Sequence, residues 1–538
     1  MRRSRLLSAL LGILVLAASP AVSARNHARP TTHAVQRHAR LHRSRVKPPK
    51  PPFMSAAQAV NLVRPGDRVL LPTEAGTSQM LVNALVDRSH GFKAGARPVE
   101  VLHTASMIQY PDHSPDKLQV NALFINSGAR RLVGQGLKVT PTYLSEIPKL
   151  LDRQLKPRVV MMTVTPPDRR GYVSTGISAG VIADLVADPK VKVIAEVNPN
   201  MPRTRGATRM HQSHIDAMVE SNEPIKELSW GPTSLVDMAI GRNVARAIES
   251  GSTLQLGIGP LQKAMGEQLA KRGRRIIRQG GKFKVRVRSE MIDDGLVTMA
   301  EAGIISKGRD AVQLGFAVGT RKLYDFLAKD RRVKMMTTRT INDPALAGRR
   351  RNLMAINSAV SVDLLGQACS EAVPRRNAEG KLVPVQYSGV GGQVDFFRAV
   401  KRSRGGKGFM TLRSTARHGT VSSISLDLGS QVRMESGRIE REHYDRPLPV
   451  TTNRFDVDNV VTEWGVAPLK GRDVVARAQA LVRVAHPRFR SYLAREGLAR
   501  YGGDPAAWKA AATVTRRERR MARFFDASDR RLAEAAGK

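Results

Sequence analysis

A single glutamate stands out in KVRVRSEMIDDG, residues 284–295. Basic residues alternate at Lys282, Lys284, Arg286 and Arg288, and then come Glu290, Asp293, Asp294 and Gly295. A carboxylate so placed is a solvated turn residue, a partner for the neighbouring arginines, or a nucleophile. Two glycine-rich turns bear on that choice. TLQLGIGPLQKAM sets Gly257 and Gly259 between an apolar strand and a helix whose start is marked by Pro260. YSGVGGQVDFFRAV sets Gly389, Gly391 and Gly392 before a second helix near Asp395. Glycines at such turns let backbone N–H groups approach an anion or a developing oxyanion. The first turn lacks the third glycine of a dinucleotide fingerprint and the lysine of a phosphate-binding loop. Each turn alone is as readily structural. Two of them with an isolated glutamate are what acyl chemistry needs: amides to hold an oxyanion and a carboxylate to attack.

Elements able to position these residues are legible on both sides. From Gly66 onward, short β-branched runs alternate with amphipathic stretches: DRVLLP, PVEVLHT, ALFINSG, RVVMMTVTP and VKVIAEVNP read as strands, with SQMLVNALVDRSHG, LSEIPKLLDRQL and SAGVIADLVAD as helices. After ELSWGPTS the plan repeats, with helix GRNVARAIESG, strand TLQLGIG and helix PLQKAMGEQLAKR. Such alternation implies α/β architecture with parallel sheets covered on both faces. The expected units are 54–238 and 239–500, followed by a peripheral charged tail, 501–538.

Of 538 residues, 88 are Lys or Arg and 46 Asp or Glu, for a net charge of +42. That balance suggests anionic partners, whether nucleic acid, a membrane surface or a phosphorylated small molecule. With aromatics at 4%, stacking on single-stranded nucleic acid is disfavoured. Nine basic residues crowd 271–288, a stretch expected to be a solvent-exposed loop. The one cysteine, Cys369, excludes an intramolecular disulfide and a thiolate metal cluster within one chain. The histidines His211, His214 and His486 lack a ligand set, so no metal is expected. Residues 1–24 carry a basic start, an apolar run and a small-residue VSA ending, a secretory signal pattern. Residues 25–53 are basic, His- and Pro-rich and expected to be disordered. The segment 1–53 therefore reads as an export signal, an organellar transit segment, or an extension ahead of a start at Met54. No transmembrane span is expected.

Taken together, the chain resembles the acetyl-CoA hydrolase/transferase family, the glutamate-dependent CoA-transferases. The resemblance runs from about 55 to 495 through ordered signatures that include TPPDRRGYVSTGIS, VNPNMPRTRG, LGIGPLQKAM, SEMIDDGLVTMAEAGII, INSAVSVDLLGQ, YSGVGGQVDF, STARHG and VTEWGVAPLKGR. It implies two CoA-transferase-type α/β domains with the active site between them. By the same resemblance Glu290, the nucleophile, and Asn357, near it, are the catalytic residues. Gly257, Ile258, Gly259 and Gly392 hold CoA and the oxyanions in the family, and Ser388, Gly391 and Arg417 stand in its CoA-contacting segments. Coenzyme A is then a substrate rather than a resident cofactor, the other substrates are acyl-CoA and small carboxylates, and the assembly is a homodimer.

The chain departs from the family pattern at Arg288-Ser289 for the usual His-Thr, at Ile292-Asp293 for Phe-Ser, and at Arg417 for a frequent lysine. The implied activity is CoA transfer between a short-chain acyl-CoA and an acid such as acetate, propionate or succinate. Hydrolysis of acetyl-CoA by the same acyl-glutamyl chemistry is the alternative, and nucleic-acid binding on a relic fold a remote one. Because CoA thioesters are intracellular, the expected location is cytoplasmic, with export as the alternative.

Overall fold

The structure is a computed structural model that describes residues 51–536. The signal-like segment 1–24 and nearly all of the basic segment 25–53 lie outside the described residues. Two parallel sheets organise the chain. The first contains β1 (Arg68–Leu71), β2 (Val99–Thr104), β3 (Leu118–Phe124), β4 (Lys138–Val139), β5 (Val159–Val164), β6 (Lys192–Val197) and β7 (Ala217–Glu220), in the order β4-β3-β2-β1-β5-β6-β7. Every adjacent pair is parallel. Helices cover both faces of such a sheet, so its central strands are apolar throughout; all six residues of β5 are buried.

The second sheet repeats the winding with one strand more. Its members are β8 (Thr253–Leu256), β9 (Arg286–Ser289), β10 (Val312–Leu314), β11 (Val333–Met335), β12 (Leu353–Ser358), β13 (Lys407–Thr411), β14 (Asn459–Thr462) and β15 (Gly465–Pro468). Their order is β11-β10-β9-β8-β12-β13-β14-β15, and only β14–β15 is antiparallel. In both sheets the chain starts at the centre, winds outward through three strands, returns, and winds outward the other way. The expected repetition of plan is therefore a repetition of topology. The break expected at 238/239 falls inside helix α1 (Leu235–Ala247), whose start is set by the Ser234 hydroxyl accepting the Asp237 N–H. Residues 221–234 make the connection, and α1 already belongs to the second half.

The basic run 271–288 is not a loop. Helix α2 (Pro260–Arg278) carries its first eight residues, and β9 takes its last three. Apolar positions Met265, Leu269, Ala270 and Ile276 continue the buried stripe of α2 into the run, so its basic residues take the outer face. Two of these cations have internal work. Arg272 Nη1 donates to the Ala245 carbonyl (2.7 Å) and to that of Ile248, satisfying the end of α1. Arg288, 4% exposed, donates to Gln313 Oε1 (2.7 Å) and to the Thr340 carbonyl.

The tail also folds. Helix α3 (Pro487–Tyr501) packs on α4 (Pro505–Ala512), where Trp508 is 1% exposed and lies so close to Gly497 that a Cβ there would come within 2.5 Å of the indole. Helix α5 (Arg516–Ala536) follows. Phe525 meets Trp464 edge-on at 5.7 Å, Glu518 pairs with Arg490 (2.9 Å), and Asp526 pairs with Arg488 (2.8 Å). Apolar residues embedded in a charged run thus dock it on the second half, and the acids on its flank find partners there. Among the described residues no helix is long and apolar enough to cross a membrane. Trp508→Ala removes a buried side chain that nothing nearby replaces. It is expected to destabilise the fold by about 3–5 kcal/mol, read as a lower midpoint in chemical denaturation.

Candidate active site

In an open α/β sheet, a crevice forms at the C-terminal ends of the strands where winding reverses direction. The first sheet reverses between β1 and β5, the second between β8 and β12. A cavity of about 470 Å³ draws its walls from both halves. The first half supplies Glu74 beyond β1, Met107 beyond β2 and Phe124–Asn126 at the end of β3; the second supplies Gly257–Gly259 beyond β8, Glu290 beyond β9 and Asn357–Ser358 at the end of β12. The segment 387–393 closes another side. The halves are joined next to the site, where Phe316 N–H donates to the Glu290 carbonyl (2.7 Å) and Phe316 forms a bridge with Ser178.

Glu290 is 6% exposed. Asn342 Nδ2 donates to its Oε2 at 2.6 Å, and the Gly392 amide donates to its Oε1 at 3.3 Å. Burial raises its pKa to about 7; the Asn342 bond opposes that rise, the nearby Asp395 carboxylate adds to it, and the Gly392 bond opposes it. Asp395 is buried too, which lifts it to about 6 against the bonds it accepts from Ser145, N–H at 2.9 Å and Oγ at 2.6 Å. Asn342 touches both carboxylates, its Nδ2 lying 3.4 Å from Asp395 Oδ2. Among the described residues no arginine pairs with Glu290, so the reading as an ion-pair partner falls away there, and its burial removes the reading as a solvated turn residue.

The two aspartates that follow have other duties. Asp293 accepts from the Gly295 N–H (3.0 Å) and the Gly259 N–H (3.3 Å), tying the strand exit after β9 to the glycine turn after β8. Asp294 accepts from Thr320 N–H (3.0 Å) and Oγ1 (2.6 Å). Ser289 clamps β9 to β8 by accepting the Leu256 N–H and donating to the Leu256 carbonyl.

Of the residues expected from sequence, Glu290, Asn357, Gly257, Ile258, Gly259, Ser388, Gly391 and Gly392 all line this cavity. Asn357 does not bond Glu290. Its amide pairs reciprocally with Gln255, at 2.9 and 3.1 Å. Arg417 lies elsewhere: it lines a separate cavity with Arg413, His418 and Asp529, and its Nη2 donates to the Pro374 carbonyl (2.9 Å). Sequence reasoning missed Asn342, Asp395 and Ser145 as the groups around Glu290. Asp395 had a signal, three residues after the second glycine turn. Asn342 had none, since TINDPALAG reads as a helix start, and Asp343 does cap one.

Gly392 has a steric reason to be glycine. A Cβ there would stand 1.6 Å from Glu290 Oε2 and 2.4 Å from Asn342 Nδ2. Gly391 (φ +63°) and Gly259 (φ +117°) take left-handed conformations that L side chains avoid.

The chain as a whole is similar to known proteins. The chain matches the acetyl-CoA hydrolase/transferase N-terminal domain over residues 40–228 and the C-terminal domain over 319–497. It belongs to the acetyl-CoA hydrolase/transferase family and is an enzyme of that family. The match begins at residue 40, inside the segment expected to be disordered. A 4-hydroxybutyrate coenzyme A transferase of Clostridium kluyveri is 36% identical over 460 residues, 83% of this chain and 97% of that protein. A succinyl-CoA:cyclohexane-1-carboxylate CoA transferase of Geobacter metallireducens is 33% identical over 82% of this chain and 93% of its own length. The crystal structure of a 4-hydroxybutyrate CoA-transferase from Porphyromonas gingivalis superposes with a TM-score of 0.62 at 28% identity, covering 84% of this chain and 98% of that one.

Two outcomes follow from this geometry. Gly392→Ala drives a methyl group into the carboxylate and displaces an amide donor, so kcat/KM should fall by at least about 100-fold in a steady-state assay. Glu290 has its folded pKa raised from 4.5 to about 7, so the ionised buried group costs stability as pH rises through that window. Glu290→Gln should therefore be more stable than the wild type at pH 8, by about 1–3 kcal/mol. The difference should vanish near pH 4 in denaturation curves, while activity of the wild type should climb with pH through about 7.

Proposed function

We propose that the enzyme exchanges CoA between a short-chain acyl-CoA and a carboxylic acid such as acetate, propionate or succinate, with Glu290 as the nucleophile. The Glu290 carboxylate attacks the thioester carbonyl, the C–S bond breaks, and an acyl-glutamyl anhydride and CoA thiolate form. The thiolate then attacks the glutamyl carbonyl, releasing the donor acid and leaving a glutamyl-CoA thioester. The incoming carboxylate attacks that thioester, and the thiolate attacks the new mixed anhydride to give the product thioester and free Glu290. Each step exchanges one activated acyl bond for another, so none needs an external energy source.

The observation that carries this reading is the buried Glu290 carboxylate held by the Gly392 amide in a cavity walled by both halves. Burial favours attack, because a carboxylate with few donors and no adjacent cation keeps its basicity. The Gly392 amide and the turn Gly257, Ile258, Gly259 are assigned to the oxyanions and to CoA, with Ser388 and Gly391 on the CoA side. Asn357, fixed by Gln255, positions the cavity wall behind the reacting carbonyl. A CoA substrate favours a cytoplasmic enzyme, since CoA thioesters are intracellular metabolites.

Purified enzyme incubated with acetyl-CoA alone should carry a CoA adduct on the peptide containing Glu290, seen by mass spectrometry after acid quenching. The adduct should vanish on adding acetate, propionate or succinate, with the matching acyl-CoA produced, and should be absent from Glu290→Gln. Free CoA rising without an acceptor would make the enzyme a hydrolase. Near-normal exchange by Glu290→Ala would overturn the assignment of the nucleophile.

A further inference from the structure

The basic run that ends α2 takes no part in the chemistry above. Of its nine cations, Lys271, Arg274, Arg275, Arg278, Lys282 and Arg286 are exposed. Among the described residues none of these six side chains makes a hydrogen bond or an ion pair. Earlier on the same helix charge is balanced, since Lys263 pairs with Glu267 one turn on (3.6 Å). Between Glu267 and Glu290 there is no acid at all.

That arrangement works against the helix. Lys271 and Arg275, and likewise Arg274 and Arg278, are like charges four residues apart, a spacing at which they repel. Burial, helped by the charge of Arg275, holds the Arg272 guanidinium below its usual range. The helix dipole does favour cations in the last turn, but only Arg275 and Arg278 stand there. The carbonyls of Arg275 and Ile277 are already met by the Gln279 N–H. Helix termination therefore leaves Lys271, Lys282 and Arg286 without a reason.

Three of the cations, Lys271, Arg274 and Arg278, line a cleft of about 620 Å³ whose other walls are Ile277 and Ala302. Ile277 is 38% exposed, an aliphatic side chain set among charged ones. The cleft lies at the end of the sheet opposite the catalytic cavity. Gln262, in the first turn of α2, lines that cavity, and Arg274 and Arg278 follow it by about 18 and 24 Å of helix axis. Arg286 opens β9 and pairs with Thr253, which opens β8, whereas the cavity lies beyond the other ends of both strands. An anion bound here does not compete with acyl-CoA for the cavity.

The mixture of charge and aliphatic surface selects the partner. A nucleic acid offers phosphates but nothing for Ile277, and the one aromatic residue of the run, Phe283, is 2% exposed and unable to stack on bases. A bilayer with anionic headgroups offers both: negative charge that attracts each nearby cation, and a glycerol–acyl boundary that accepts an aliphatic side chain. Long Lys and Arg stems lie along such a boundary while their charged ends stay at the headgroups.

We propose that the end of α2, with Lys282 and Arg286 beside it, docks the enzyme on membranes rich in anionic lipid, Ile277 entering the headgroup layer between the cations. The cavity then stays open at the far end of the sheet. Neither the nucleophile nor the acyl group bears on this.

The test is co-sedimentation of the full-length protein with phosphatidylcholine vesicles made with and without phosphatidylserine. Wild type should bind only the vesicles containing phosphatidylserine, and added salt should release it. The triple variant Lys271→Gln, Arg274→Gln, Arg278→Gln should bind them about 100-fold more weakly, with a thermal midpoint at or above the wild-type value. Arg516→Gln, Arg517→Gln, Arg520→Gln changes the net charge equally at exposed tail positions and should cost less than about tenfold. Ile277→Ser should cost about fivefold on vesicles. Equal losses in the two triple variants would reduce the effect to net charge and overturn the proposal. So would wild type that ignores phosphatidylserine, or that binds double-stranded DNA more tightly than the vesicles. Acyl exchange is measured separately, so its failure would remove the transferase reading and leave the docking surface standing.

Discussion

Everything near the cavity is arranged around keeping one carboxylate out of water without neutralising it. Glu290 sits between an amide donor at Gly392 and a side-chain donor at Asn342, while Asp395 adds negative charge beside it. Such a group opposes folding, and a charge-assisted contact at 3.3 Å compensates only part of its lost hydration. The burial must be sustained by packing elsewhere. The buried core that surrounds β8 and β9 also takes in Ala75, Ile177, Ala179 and Met201 from the first half, so the seam beside the carboxylate is apolar and continuous.

Repeated topology explains why the site lies at that seam. Each sheet alone has a crevice where its winding reverses, and each crevice alone is open on one side. Facing them produces a deeper cleft whose walls are loop ends of both sheets, and a loop can carry residues that a strand or helix would not tolerate. Glu74, Ala105, Gly259 and Gly391 all use left-handed backbone in these loops. The rigid parallel strands beneath hold those conformations, and the loops beyond them carry the chemistry.

The fold and half of the site could be read from sequence for a single reason: they rest on local pattern. Strand periodicity, helix starts and glycine turns are written in neighbouring residues, so the β8–α2 turn and the Gly389–Gly392 turn were legible. Glu290 was legible as an oddity of charge. Asn342 and Ser145 were not, because nothing in TINDPALAG or TYLSEI distinguishes a residue facing a distant carboxylate from one facing water. Their roles arise from contacts between segments 50 to 250 residues apart. The basic run and the tail were misread for a related reason. Charge density dominated the apolar positions hidden in each, Ile276 and Phe283 in one, Met521 and Phe525 in the other, and those positions decide burial. Arg417 sits in the expected motif, yet its guanidinium caps the Pro374 carbonyl outside the cavity.

The charge balance itself gains a meaning from the site. In a chain with 88 basic residues against 46 acids, a charged neighbour of a carboxylate is more often cationic than anionic. Among the described residues, Glu290 and Glu74 nevertheless have no cation acting on them. Arg130 lines the same cavity, but its guanidinium stacks on the Tyr387 ring at 3.6 Å and its Nε donates to the Tyr387 carbonyl. Arg288, two residues from the nucleophile, donates instead to Gln313 Oε1 and to the Thr340 carbonyl. An arginine paired with Glu290 would lower its pKa and hold its oxygens in a fork, which stabilises the fold and weakens the nucleophile. The alternation of basic residues along β9 is therefore compatible with an unpaired glutamate only because the strand ends at Ser289, and the chain turns before the next side chain could bring the two charges together.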